Sequence, residues 1–158
     1  MPKVCEDHDI TVDSGASASV MPPELAKDYK TKPSYHSKRG TSFKTASKQL
    51  VKVEGEKRLS VITHNGQHHK LRFDVGPVNK PLLSVSEVSD SGWDVVFSNT
   101  RGNYAVNPKT GEKLWFYRTA GVYKLEAWKK PPPESERADL SPVTDDEGFR
   151  RQPPGGEA

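Results

Sequence analysis

The chain has 158 residues, enough for one domain with an appendage; 32% are hydrophobic, 28% are charged, and the mean hydropathy is −0.80. No run approaches the roughly 18 apolar residues of a membrane-spanning helix, the start Met1-Pro2-Lys3-Val4-Cys5 lacks the apolar segment of a signal peptide, and a single cysteine, Cys5, excludes an internal disulfide. A formal charge of +3 is too small to single out nucleic acid as a partner, so the expectation is an intracellular, cytoplasmic chain whose lean core relies on a partner.

In chain order, Ile10-Thr11-Val12 is a β-branched run that reads as a buried strand and leads straight into Asp13-Ser14-Gly15-Ala16. Pro22-Pro23-Glu24-Leu25-Ala26-Lys27 would open one helical turn, because proline suits the first helical positions. Residues 43–45 and 49–53 flank Ala46-Ser47-Lys48 as a hairpin. Residues 58–63 and 68–75 flank His64-Asn65-Gly66-Gln67 as another, and Asn-Gly is a strong hairpin signal. Residues 84–90 predict a short helix, with Ser84 as N-cap, Glu87 three residues on and Gly92 past its end. Strands then follow at 93–97, 103–106, 112–117 and 122–127, separated by glycine-bearing turns.

After Trp128 the composition changes. Residues 129–158 hold 6 of the 13 prolines, with five basic and seven acidic residues and no apolar period. They read as a disordered tail, leaving residues 1–128 as the folded domain. Many short strands and one helix predict an all-β fold, a small closed β-barrel.

As a tripeptide, Asp13-Ser14-Gly15 has the composition of any turn. Its setting adds chemistry: a carboxylate leaving a buried strand is held rigidly, glycine permits close backbone approach, and the serine hydroxyl can bond to another chain. Ile10-Thr11-Val12-Asp13-Ser14-Gly15-Ala16 resembles the active-site strand and turn of the retropepsins, the aspartic proteases of retroviruses and LTR retrotransposons, and those of copia-type polyproteins in particular. Phe43-Lys44-Thr45-Ala46-Ser47-Lys48-Gln49-Leu50-Val51 is similar to the flap hairpin of that group. Val78-Asn79-Lys80-Pro81-Leu82-Leu83-Ser84-Val85-Ser86 with Gly92-Trp93-Asp94-Val95-Val96-Phe97 resembles its second block, and Gly121-Val122-Tyr123-Lys124-Leu125 its closing strand. The resemblance covers residues 4–128 in the right order. The departures are serine for the usual threonine at 14, Ser84 where retroviral members carry glycine, and Lys48 at the flap tip.

The resemblance implies an aspartic endopeptidase of retropepsin fold that processes its own polyprotein inside cells, with virus-like particles as one setting. Asp13, Ser14 and Gly15 would be catalytic, and Ala16, Phe43, Thr45, Ala46, Ser47, Leu82 and Leu83 would line the substrate. No metal or other cofactor is implied. The chemistry needs two carboxylates sharing a proton around one water. Asp90-Ser91-Gly92 repeats the tripeptide 77 residues on, but it ends the expected helix and precedes a strand, so Asp90 reads as structural. The second carboxylate is then expected from a symmetric homodimer, with an extended peptide bound between the site and the flaps.

Other features weigh less. His64, His68 and His69 surround a turn and lack a full zinc ligand set, as do Cys5, Asp7 and His8. Trp93, Trp115, Phe116, Tyr117 and Tyr123 read as core or interface residues, and the basic residues between Lys27 and Lys48 as a solvated face. Two rival readings remain: an inactive or repurposed dimerisation module of the same fold, and a monomeric nucleic-acid-binding barrel suggested by the +5 charge of residues 1–128.

Overall fold

A computed structural model describes residues 1–40, 42–44 and 50–138. The chain is built almost wholly of strands: β1 (Ile10–Asp13), β2 (Val20–Met21), β3 (Ser42–Lys44), β4 (Leu50–Lys52), β5 (Gly55–Thr63), β6 (His68–Val75), β7 (Leu82–Ser84), β8 (Asp94–Ser98), β9 (Gly102–Val106), β10 (Lys113–Thr119), β11 (Val122–Leu125) and β12 (Ala127–Lys129). Two short helices, α1 (Tyr35–Lys38) and α2 (Val85–Asp90), interrupt them. Among the described residues no helix is long and apolar enough to cross a membrane.

The all-β expectation agrees with this architecture, but the closed barrel does not. Ten strands lie in the order β12-β5-β6-β2-β7-β1-β11-β10-β9-β8. Closure would require hydrogen bonds between the end strands β12 and β8; among the described residues β8 pairs with β9 alone, and β12 pairs with β5 and, through one bridge, with Lys3. The sheet nevertheless turns on itself. β11 in its interior and β12 at its edge are separated in sequence by the single residue Glu126, so that edge must lie close to the sheet's own middle. β3 and β4 form a separate two-stranded ribbon with Phe43 opposite Val51.

The β5–β6 hairpin is the longest element, registered from Gly55 opposite Val75 to Ile62 opposite His68. Its alternation sends Leu59, Val61, Leu71 and Phe73 into the core with Ile10, Val12, Met21, Tyr29, Leu83, Leu114 and Leu125. Gly66 closes the turn with φ +78, a backbone region that glycine occupies without steric cost. Gly55 is required for a different reason. A Cβ there would stand 2.5 Å from the Lys32 carbonyl oxygen, where the chain bridges Lys32 to Glu56.

Residues 22–27 differ from the expected helical turn. The Lys57 ammonium donates to the carbonyls of Pro23, Leu25 and Ala26 at 3.3, 2.8 and 3.1 Å, and Ala26 adopts φ +54. A buried cation thus takes the carbonyls that helical N–H groups would use. The helix that forms nearby is α1, where Ser34 and Ser37 make a reciprocal capping box.

Past Trp128, where the tail was expected to begin, the chain runs on through β12 and along the body to Ala138. Lys129 N–H donates to the Pro2 carbonyl at 2.7 Å, Lys130 N–H to Ser60 at 2.9 Å, and Ala138 N–H to Asp28 at 2.8 Å. Tyr29, fully buried, donates its hydroxyl to the Lys130 carbonyl at 2.7 Å.

Candidate functional site

Asp13 is the last residue of β1, a strand buried on both faces. β7 runs parallel on one side, with Asp13 opposite Ser84, and β11 runs antiparallel on the other. The carboxylate is half-buried and is fixed by its own turn, since Gly15 N–H donates to Asp13 Oδ1 at 2.8 Å. A Cβ on Gly15 would lie 3.3 Å from that oxygen, so the glycine allows the turn to close on the carboxylate. Ser14 is exposed and Ala16 half-exposed. Two residues before Asp13 on the same strand face, Thr11 Oγ1 is buried without a hydrogen-bond partner among the described residues.

The loop from Ser14 to Ser19 is fastened to the start of α2. Ser84 Oγ and Ser86 Oγ donate to the Ala16 carbonyl at 2.8 and 3.3 Å. Ser84 N–H donates to Ser19 Oγ at 2.8 Å, and Ser19 N–H donates to Glu87 Oε1 at 2.9 Å. Asp74 N–H holds the Ser19 carbonyl at 2.8 Å. Behind this joint Arg72 pairs with the fully buried Asp74 at 2.6 Å, with Glu56 at 2.9 Å and, more loosely, with Glu87 at 3.6 Å. Burial pushes the Glu56 carboxyl up, but hydrogen bonds from Arg58 and Arg72 outweigh it and hold Glu56 below the ordinary carboxylate range.

Of the residues the resemblance singled out, Asp13, Ser14, Gly15, Ala16, Leu82 and Leu83 come together at the β1–β7 junction. Leu82 is half-buried, whereas Leu83 lies in the core at 3% exposure. Phe43 stands in β3; Thr45, Ala46 and Ser47 lie outside the described residues. Asp90 is exposed at the far end of α2. There Ser91 Oγ donates to the Val88 carbonyl and Gly92 takes φ +99, so this second Asp-Ser-Gly closes a helix.

The histidines scatter. His64 and His68 are exposed, and His69 is buried edge-on to Trp93 with its Nδ1 3.6 Å from Glu112. These last three line a cavity of about 290 Å³ with Leu71, Val88 and Leu114. Among the described residues no group of three or more histidine, cysteine, aspartate or glutamate side chains could hold a metal ion. Sequence reasoning missed Ser19, Arg72 and the outward use of Glu87. The one signal for them in the sequence is Ser84-x-x-Glu87, whose glutamate predicts a bond within the helix start and not to a distant loop.

Comparison with family models, with curated proteins and with solved structures found no match to this chain.

Proposed function

We propose that this protein is an aspartic endopeptidase in which Asp13 supplies one carboxylate and the Asp13 of a second copy supplies the other. What carries the reading is the setting of Asp13: a half-exposed carboxylate at the mouth of a buried strand, oriented by the Gly15 N–H at 2.8 Å. The Gly15 bond alone is an Asx turn, as in many chain reversals; what supports the reading is that this turn ends a buried strand flanked by β7 and β11. Asp90 stands at a helix end, away from a strand-to-turn setting like that of Asp13, which favours a second carboxylate from another copy; a two-fold axis beside Ser14 would bring two Asp13 groups together.

In such a dyad the two carboxylates share one proton, because like charges that close do not both ionise. The ionised carboxylate takes a proton from a water molecule as that water's oxygen bonds to the peptide carbonyl carbon. The protonated one donates to the carbonyl oxygen. As the tetrahedral intermediate collapses and the C–N bond breaks, the carboxyl that took the water's proton gives it to the departing nitrogen, and the other carboxylate takes back the hydroxyl proton as the carbonyl re-forms. The substrate would be an extended peptide of the chain's own polyprotein, bound through strand-like hydrogen bonds between the Asp13 turn and the β3–β4 ribbon, in a reducing intracellular compartment.

Cleavage of a peptide library by wild type, Asp13→Asn and Asp90→Asn tests this. Wild type and the Asp90 variant should cleave, the Asp13 variant should not, and specific activity should fall on dilution through the dimer dissociation range. Equal cleavage by wild type and Asp13→Asn would sink the proposal. A folded wild-type dimer that cleaves nothing would make the chain a dimerisation module instead.

A further inference from the structure

We propose that Glu87 is the positioning residue of this site, holding the Asp13 loop in register from the first turn of α2. The inference rests on reading Asp13 as the reactive carboxylate. Glu87 occupies the third position of α2, where a glutamate ordinarily reaches back to the N-cap N–H and completes a capping box. Here the box is half-made. Ser84 Oγ accepts from the Glu87 N–H at 3.1 Å, but the Ser84 N–H goes to Ser19 Oγ and the Glu87 carboxylate takes the Ser19 N–H.

Two partners have been exchanged between the helix start and the loop. Each satisfies the donor that the other would have left open, and the joint spans 68 residues of sequence. A glutamate needed only to cap α2 would bond within α2. This one is spent on the loop, and Arg72, 3.6 Å from its other oxygen, balances its charge.

The consequence is mechanical. The loop is anchored at Ala16 by the Ser84 and Ser86 hydroxyls and at Ser19 by Glu87. That leaves Ser14 and Gly15 as a short span between β1 and a fixed point. Loosening Ser19 leaves the loop held at Ala16 by the two hydroxyls and at the Ser19 carbonyl by the Asp74 N–H, so that Ala16 shifts more freely and the Gly15 N–H can drift from the Asp13 carboxylate. A displacement of that kind acts on the chemical step more than on substrate binding, because misplacing a reacting group by about 1 Å costs up to 100-fold in rate.

The test measures hydrogen exchange at the Ser19 and Gly15 amides, beside cleavage kinetics, for wild type, Glu87→Ala and Glu87→Gln. In Glu87→Ala both amides should exchange about tenfold faster while those of β5 and β6 stay protected. kcat should fall about tenfold with KM unchanged. Glu87→Gln keeps an oxygen that can accept the Ser19 N–H, and should restore both. Ser19 freed with Gly15 and kcat unaltered would overturn the proposal. So would a uniform rise across β5 and β6, which would make Glu87 a general stabiliser. Should Glu87→Ala not fold, Ser19→Ala loosens the same joint by removing the acceptor for the Ser84 N–H, and the same readouts apply. A wild type that cleaves nothing would count against the protease reading alone, since the amide pair still decides whether Glu87 orders the loop.

Discussion

Replacing Arg72 with methionine removes the cation that serves two acidic groups behind the site loop. Asp74 has a fully buried side chain and meets Arg72 Nη2 at 2.6 Å, while Glu56, 11% exposed, meets Arg72 Nε at 2.9 Å. Breaking one partner out of a buried ion pair costs about 3–5 kcal/mol. Arg72 itself is 28% exposed, which brings water to the pair and points to the lower end, about 3 kcal/mol. For a folded region of this size that lowers Tm by roughly 10 °C. Urea unfolding followed by tryptophan fluorescence at pH 7 measures it directly.

The pH dependence gives a second check. Glu56 is held below the ordinary carboxylate range, so its contribution is present above about pH 4.5, its ordinary value, and is lost as pH falls through the folded-state value. The gap between wild type and Arg72→Met should therefore narrow as the medium is acidified. A double variant, Arg72→Met with Asp74→Leu, should regain part of the loss, since an apolar pair replaces a desolvated ionic one. A single variant within about 0.5 kcal/mol of wild type, the scatter of neutral surface changes, would refute the view that this cation holds β6 and the loop together.

His69 gives an acid-side effect. Burial depresses its basicity below the ordinary histidine value, with the Glu112 charge opposing, so the unfolded chain takes up the proton first. Stability should be full above about pH 6.5 and decline as pH falls toward the folded-state value; His69→Phe should abolish that slope in urea titrations across about pH 5–8. Tyr29→Phe removes the hydroxyl that donates to Lys130 and accepts from the Ser60 N–H, and should cost about 1–2 kcal/mol by thermal unfolding. A chain ending at Trp128 should be less stable than one ending at Ala138 by about 3 kcal/mol. It loses the backbone bonds of Lys129, Lys130 and Ala138 and the Lys32–Glu136 ion pair. Equal midpoints for the two chains would show that this segment adds nothing.

Local patterns carried much of this protein. Alternation and Asn65-Gly66 specify the β5–β6 hairpin because a period of two and a turn needing positive φ leave few alternatives. Ser84 and Gly92 delimit α2 because caps act over three or four residues. The place of Asp13-Ser14-Gly15 at the end of a buried strand was legible for the same reason.

What sequence alone did not determine depends on neighbours distant in the chain. Whether ten strands close or remain open is decided by which edges meet, and β12 and β8 do not pair. Residues 22–27 turn away from helix because Lys57, some thirty positions on, claims their carbonyls. Residues 129–138, polar and rich in proline, pack along the body because backbone hydrogen bonds to Pro2, Asp28 and Ser60 depend little on side-chain type. Glu87 bonds to Ser19 because the fold brings a second donor within reach of its carboxylate. Periodicity and capping are local and can be read along a chain; the pairing of buried polar groups is settled only where the chain meets itself.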